Sequence, residues 1–269
     1  GDDILPATIR EALQAGRIRR IAVIGHGTAA VAGAAVADGW RRCLQGTGLS
    51  IEAQIASEMS GFALRDDLRD TLIIPITQSG TTTDTNRAVA MARERGAWVI
   101  AIVNRRQSDI TAKAHGVFYT SDGRDIEMSV ASTKAFYSQI VAGCLLGLGL
   151  AQLLGSRTDE DIASELRALE RGPAAMEQVL NQREAIRNDV ARLTRGKPHW
   201  AVVGSGPNKA AADEIRIKLS ELCYKTLSTD VIENKKHIDL SAEPLIIACA
   251  AGSPETVTGD IVKDVAIFK

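Results

Sequence analysis

Short apolar runs rich in β-branched residues alternate with helix-compatible stretches through the first half of the chain. Ile21 to Ile24, Ile51 to Ile55, Leu72 to Ile76, Trp98 to Val103 and Val117 to Thr120 have the length and content of buried strands. Between them Thr28 to Gln45, Thr82 to Arg95 and Gln107 to Ala114 carry helical patterns. A parallel connection must cross back over its sheet, and a helix does so with its own backbone groups satisfied. The alternation therefore predicts an α/β, doubly wound domain, a parallel sheet covered on both faces.

From Thr158 the pattern changes to a charged helical tract, Asp159 to Arg171, followed by Pro173 to Leu193. Met176, Val179, Leu180, Ile186, Val190 and Leu193 recur near helical spacing, and Pro173 suits a first turn, so two amphipathic helices are expected. Arg195-Gly196-Lys197-Pro198 breaks the pattern and a strand begins at Trp200. That strand repeats the first one: Ala22-Val23-Ile24-Gly25-His26-Gly27 returns as Ala201-Val202-Val203-Gly204-Ser205-Gly206. A duplicated subdomain is the economical reading, with limits at 1–157 and 197–269 and a helical bridge at 158–196. After Leu245 to Ala250 and Val265 to Phe268 no further helix or strand is expected, so the second copy reads as incomplete.

Ala135 to Gly155 is apolar over a membrane-span length, but Ser138, Gln139 and Gln152 interrupt it and it holds four glycines. It reads as a buried helix at a core or a dimer interface, not as a membrane segment.

The 269 residues are 45% hydrophobic and 24% charged, a globular composition that excludes disorder and collagen-like repeats. Lys and Arg number 32 against 33 Asp and Glu, so there is no basic field for nucleic acid or an anionic membrane, and any bound anion has to be met by local geometry. Cys43, Cys144, Cys223 and Cys249 form no CxxC pair, which argues against a disulfide framework or a zinc site and for a reducing, cytoplasmic setting. The chain starts Gly1-Asp2-Asp3, without Met or a leader pattern, as expected of a piece of a longer protein.

Two strand-to-helix turns are candidates for holding that anion. Gly25-His26-Gly27-Thr28-Ala29-Ala30 lets backbone N–H groups approach a ligand at a helix start, and it also fits a relaxed dinucleotide fingerprint. Thr77-Gln78-Ser79-Gly80-Thr81-Thr82-Thr83 places five hydroxyls in seven residues ahead of another helix. Helix capping would account for one or two of them. Five hydroxyls with free N–H groups suit a phosphate dianion in a pocket without Lys or Arg. A third polar loop, Glu127 to Lys134, offers Ser132 and Thr133. No GxxxxGK[ST] is present, so a nucleoside triphosphate loop is not supported.

Together these loops resemble the sugar isomerase (SIS) domain, specifically the isomerase half of the glutamine-fructose-6-phosphate transaminase (glucosamine-6-phosphate synthase) family. The resemblance rests on Ile24 to Thr28, Ala56-Ser57-Glu58, Thr77 to Gly80 with Thr82, and Val130 to Phe136. It continues through Glu214 to Glu221 with Tyr224 and on without a gap to Lys236-His237, covering almost the whole chain. It implies two flavodoxin-like SIS subdomains in a homodimer with a shared active site. Thr28, Thr77, Gln78, Ser79, Thr82, Val130 and Ser132 match the family's sugar-phosphate contacts.

Interconverting a ketose and an aldose, or their imines, needs a base that carries one proton between C1 and C2, and a carboxylate over that face suffices. Glu221 matches the family's enolisation base. Lys218, one turn earlier on the same helix face, matches its polar partner. His237 matches a ring-opening histidine supplied by the neighbouring subunit, a task suited to a group titrating near neutrality. His26, His115 and His199 read as structural or exposed.

Ala29 stands where the family has a phosphate-contacting serine, a loss of about 1–2 kcal/mol if uncompensated. Thr77 replaces another serine, and Asp230 to Asn234 lacks the small residues that precede the family's lysine and histidine. No glutaminase domain with its N-terminal cysteine is present, so ammonia is expected from a fused or separate partner. The family's C-terminal tail with its Schiff-base lysine is not reached, and Lys269 is not assigned that role. No metal or cofactor is implied. The resemblance points to conversion of fructose 6-phosphate, as its imine, into glucosamine 6-phosphate. A non-catalytic phosphosugar sensor, an SIS-type amino-sugar-phosphate deaminase or deglycase, and more remotely a dinucleotide oxidoreductase remain as alternatives.

Overall fold

The computed structural model describes residues 3–122, 131–234 and 244–266. The chain divides into two compact units, 1–164 and 165–269.

In the first unit five strands, β1 (Arg20–Gly25), β2 (Ser50–Ile55), β3 (Thr71–Thr77), β4 (Trp98–Val103) and β5 (Gly116–Tyr119), form one parallel sheet in the order β2-β1-β3-β4-β5. This is the flavodoxin-like order, in which the chain starts near the middle and winds outward in both directions. The register sets Ile21 opposite Ile51 on one side and Leu72 on the other. Side chains alternate across a strand, so each strand feeds two cores. Ile21 and Val23, with Leu72, Ile74, Ile76, Ile100 and Ile102, pack under α1 (Ala7–Gln14), α2 (Thr28–Cys43) and α6 (Lys134–Leu154). Ala22 and Ile24, with Ile73, Val99, Ala101 and Val103, pack under α3 (Ala56–Glu58), which runs on into a π-helical turn Met59–Ala63, and under α4 (Thr83–Glu94) and α5 (Asp109–Lys113). The near-continuous apolar runs of β1, β3 and β4 are thus strands buried on both faces, while the edge strands β2 and β5 are only partly buried.

α6 is the apolar stretch of membrane-span length, and it is a core helix of the first unit. Gly143 and Gly147 let it lie directly on α2. A Cβ at Gly143 would come 2.8 Å from Val36 Cγ1, and one at Gly147 would come 2.5 Å from Trp40 Cδ1. Fully buried Trp40 donates its Nε1–H to the Gly143 carbonyl at 2.8 Å, so the one polar atom of that ring is paired. The helix ends on Gly155 in the left-handed conformation, φ +67°. Tyr137, Val141 and Leu145 form an exposed apolar stripe on its other side.

The tract beyond it is three helices rather than two: α7 (Asp159–Glu170), α8 (Gly172–Asn181) and α9 (Arg183–Leu193). The expected second helix breaks at Gln182, whose N–H turns back to the Val179 carbonyl at 3.0 Å in a tightened last turn. Pro173 occupies the first turn of α8 as expected.

The second unit carries a three-stranded parallel sheet, β7-β6-β8, from β6 (Trp200–Gly204), β7 (Leu227–Asp230) and β8 (Leu245–Cys249). Val202 packs with Ala212 and Leu227 on the side of α10 (Asn208–Cys223), and Val203 packs with Ile232 and Ile261 on the other. Contrary to the sequence expectation, a helix follows β8: α11 (Glu255–Ala266) takes in Val265, with Pro254 before it, Glu255 in the first turn and Lys263 in the last. Residues 267–269 lie outside the described residues.

The repeated motif has a structural meaning. Gly25 and Gly204 end equivalent central strands where the next helix folds back, and a Cβ would meet Ala29 C at 2.8 Å in one and Asn208 C at 2.7 Å in the other. Only glycine fits either place.

The α2–α6 contact generates a paired expectation. Gly147→Ala should lower stability by about 1–3 kcal/mol through overpacking against Trp40. Gly149→Ala, where an added Cβ meets nothing within 4 Å, should be neutral or up to about 1 kcal/mol stabilising through helix propensity. Equilibrium urea unfolding of the two variants separates a packing role from a general intolerance of α6 to side chains.

Candidate functional site

In a doubly wound sheet the crevice for a ligand opens at the carboxyl ends of the two strands where the winding reverses. Here those strands are β1 and β3, because α2 leaves β1 for one face and α4 leaves β3 for the other. The two loops singled out in the sequence, 25–30 and 77–82, are the turns at those strand ends.

Thr28 is the first residue of α2 and is half-buried. Thr77 is the buried last residue of β3, and its Oγ1 accepts the Gly80 N–H at 3.3 Å. Gln78 and Ser79 follow, half-buried, with the Arg105 N–H bound to the Gln78 carbonyl at 3.2 Å. Ser79 Oγ accepts the Thr81 N–H at 3.2 Å and the Thr81 hydroxyl at 2.9 Å. Thr82 is the N-cap of α4, yet its side chain makes no cap hydrogen bond. The Thr81, Thr82 and Thr83 residues are exposed. The hydroxyls of this loop are therefore not consumed in starting the helix, which leaves them, with the N–H groups of the first turn, for a ligand.

The loop is held from beneath by residues that sequence reasoning did not single out. Gly80 takes φ +67°, and a Cβ there would come 2.6 Å from Ser108 Cβ. Its carbonyl accepts the Asn86 side-chain N–H at 2.9 Å and the Ile110 N–H at 3.2 Å. Asn86, buried, also donates to the Thr82 carbonyl at 3.2 Å and accepts Lys113 Nζ at 2.7 Å. Asn86 follows the hydroxyl run by one short turn, which is a local signal. Ser108 and Lys113 carry none, since only the fold brings α5 beneath the loop.

Beside Gln78 lies a polar cavity of about 10 Å³, lined by Asn104, Thr120, Ser121, Lys134 and Ser138. Gln78 Oε1 is buried there without a hydrogen-bond partner among the described residues, while Asn104 Oδ1 accepts the Thr120 and Ser121 hydroxyls. A buried amide oxygen in that state calls for a donor, from water or from a ligand hydroxyl. Ser132 precedes α6, half-buried; Val130 lies outside the described residues.

In the second unit Lys218 and Glu221 share a face of α10, with Nζ 2.8 Å from Glu221 Oε2. Lys218 is also 3.3 Å from Glu214 Oε1, so one ammonium is clasped by two carboxylates, one buried and one partly exposed. Glu214 was visible only as part of a matching segment; its i, i+4 spacing to Lys218 was the signal for its role. Lys218, mostly buried, holds one oxygen of the Glu221 carboxylate. Tyr224, directly after α10, takes φ +51° and is almost fully exposed. His237 lies outside the described residues.

His115 is held by the Val99 N–H on its Nδ1 at 3.0 Å and by Trp98, with ring centroids 5.6 Å apart. Partial burial, assisted by the Arg93 charge, holds its imidazole below the ordinary value. Its role is structural.

Residues 17–148 match the family model described as SIS domain. The chain is 34% identical over 258 residues to the glutamine-fructose-6-phosphate aminotransferase (isomerizing) of Streptomyces coelicolor, covering 93% of this chain and 39% of that protein. It is 38% identical over 212 residues to the enzyme of the same name from Corynebacterium glutamicum, covering 77% of this chain and 32% of that one. The chain thus spans well under half the length of these curated relatives. In three dimensions it is similar to the C-terminal domain of glucosamine-fructose-6-phosphate aminotransferase from Francisella tularensis, with TM-score 0.85, 24% identity, and coverage of 97% of this chain and 72% of that one. This last likeness speaks to the fold.

The support beneath the hydroxyl loop predicts that Asn86→Ala lowers stability by about 1–3 kcal/mol, the cost of leaving buried partners unsatisfied. Thr81→Ala, at an exposed hydroxyl, should stay within about 0.5 kcal/mol. Urea unfolding of both variants distinguishes a buried scaffold from a surface loop.

Proposed function

Residues 17–148 are a SIS domain, and from that premise we propose that the chain is the isomerase part of an enzyme of the glutamine-fructose-6-phosphate transaminase type. The observation that carries the reading is the hydroxyl loop at the β1/β3 crevice, uncommitted to capping and free of Lys and Arg. A phosphate dianion finds N–H and O–H donors there, and Gln78 Oε1 awaits a donor such as a sugar hydroxyl.

Fructose 6-phosphate would place its phosphate among Thr28, Thr77, Ser79 and Thr82, with Gln78, Val130 and Ser132 along the sugar. Glu221 takes a proton from C1 of the ketose or its imine and returns it to C2, which moves the double bond and yields the aldose or amino-aldose. Lys218 holds that carboxylate and meets the substrate hydroxyls. His237, from a neighbouring subunit, opens the ring. This assigns 1–157 and 197–269 to two SIS subdomains, 158–196 to a connecting helical bridge, and the active form to a cytoplasmic homodimer supplied with ammonia by a glutaminase domain elsewhere.

Ala29 favours one other reading, a phosphosugar sensor without chemistry, because a hydroxyl expected at the helix start is absent. Calorimetric titration with fructose 6-phosphate, glucosamine 6-phosphate and NAD tests the binding claim. Sugar phosphates should bind and NAD should not, and Ser79→Ala should weaken sugar-phosphate binding at least about tenfold, the equivalent of one lost hydrogen bond to a charged ligand. Glu221→Gln should keep binding and reduce isomerisation by about 10²–10⁴-fold, the usual worth of a general base. Binding of NAD alone would sink the reading, and tight sugar-phosphate binding with no turnover in the wild-type dimer would favour the sensor.

A further inference from the structure

The two crevice loops, residues 25–31 and 77–86, contain no Lys or Arg; their ionisable side chains are His26 and Asp84. They face each other across the β1/β3 boundary, with His26 Nε2 4.0 Å from Asp84 Oδ2. That distance is too long for a hydrogen bond. Nε2 is itself shielded from solvent and hydrogen-bonded to nothing among the described residues, although the imidazole as a whole is partly exposed. Asp84 sits in the first turn of α4, where a carboxylate is favoured by the helix dipole in the absence of ligand. When a phosphate arrives at the same helix end, that carboxylate becomes a repulsive neighbour.

The other charged groups on elements around the crevice include Arg87 on α4, Glu58 on α3, Lys134 at the head of α6, Lys113 on α5 with its Nζ 2.7 Å from Asn86 Oδ1, and Arg105 beyond β4, whose backbone N–H donates to the Gln78 carbonyl. Among the described residues Asp84 is the acidic group within 4.0 Å of His26. With a neutral imidazole the two loops together carry one negative charge, and with a protonated one they carry none. A bound dianion stabilises the protonated form further.

We propose that His26 is the proton-coupled cation of the phosphate site: sugar-phosphate binding draws a proton onto His26, which neutralises Asp84 and offers the incoming phosphate a charge that neither loop otherwise possesses. This rests on the sugar-phosphate reading above and adds to it a residue and a pH dependence.

Linkage sets the sign. A proton taken up on binding makes affinity fall as pH rises, by at most about tenfold per pH unit. A phosphate monoester has its second pKa near about 6, so between pH 7 and 8.5 the ligand is already a dianion and does not contribute the slope.

The test is calorimetric titration of the protein with fructose 6-phosphate from about pH 7 to 8.5, in buffers of different ionisation enthalpy. Wild type should bind about three- to tenfold more weakly at the upper end and take up a fraction of a proton per ligand. His26→Gln should bind with little pH dependence and no proton uptake. Asp84→Asn, at an exposed helix turn that should tolerate the change, should bind more tightly than wild type at pH 8.5 and with a shallower slope. Equal slopes and equal proton uptake in wild type and His26→Gln overturn the inference and leave the sugar-phosphate reading standing. Should His26→Gln fail to fold, unchanged binding in Asp84→Asn at pH 8.5 overturns it as well. Failure of wild type to bind fructose 6-phosphate at any pH removes the underlying reading and this inference with it.

Discussion

The lateral pairing of β1 with β3, in parallel and with Ile21 opposite Leu72, is the constraint from which the first unit follows. Because the chain leaves β1 toward one face and β3 toward the other, two helix starts diverge from adjacent strand ends. The first turn of α4 brings its N–H groups, and both helices bring their positive dipole ends, to one crevice without any charged side chain being needed. The hydroxyl loop, Gln78 and His26 are all placed by that one adjacency. Hydrophobic burial on both faces maintains it, since shifting the β1–β3 register by one residue would exchange Ile21 and Val23 with Ala22 and Ile24 between two cores of different shape.

The same constraint explains why the strands were legible in the sequence and the supports of the site were not. Buried parallel strands read as continuous apolar runs, as β1, β3 and β4 do, and the runs read from the sequence matched all five strands of the first sheet, the partly buried edges included, to within a residue or so. Gly25 and Gly204 were visible as a repeat because a strand that meets its own following helix admits only glycine. The hydroxyl run was visible because five such side chains exceed what a helix start consumes. By contrast, Lys113 under Asn86 and Ser108 against Gly80 belong to a later crossover, and the pairing of His26 with Asp84 joins two crossovers on opposite faces. Contacts of that kind have no period and no local signature. The break at Gln182 was missed for a different reason: the apolar spacing runs through it, and only the turn of the Gln182 N–H back to Val179 ends the helix.

The first unit holds the hydroxyl and N–H donors at its strand ends, and the second holds Lys218 between Glu214 and Glu221, a cluster that contributes little to stability where it reaches the surface but ties one oxygen of each carboxylate to the same ammonium. A buried carboxylate partner for Lys218 also means that the lysine keeps a partner if Glu221 is neutralised.

The bond from Trp40 to the Gly143 carbonyl has a reach beyond the core. α6 is apolar nearly all round, and grease alone gives such a rod no preferred axial or rotational setting. The directional bonds from Trp40 to the Gly143 carbonyl and from Cys43 Sγ to the Gly147 carbonyl, seated in a groove that glycine keeps open, help to supply both. The head of the helix at Lys134 lies some 14 Å along the axis from Gly143, at about 1.5 Å per residue, and there it borders the cavity beside Gln78. Core packing at Val36, Trp40, Gly143 and Gly147 therefore sets where the head of α6 meets that cavity. The shape of that cavity is thus set in part by four positions, none of which lines it.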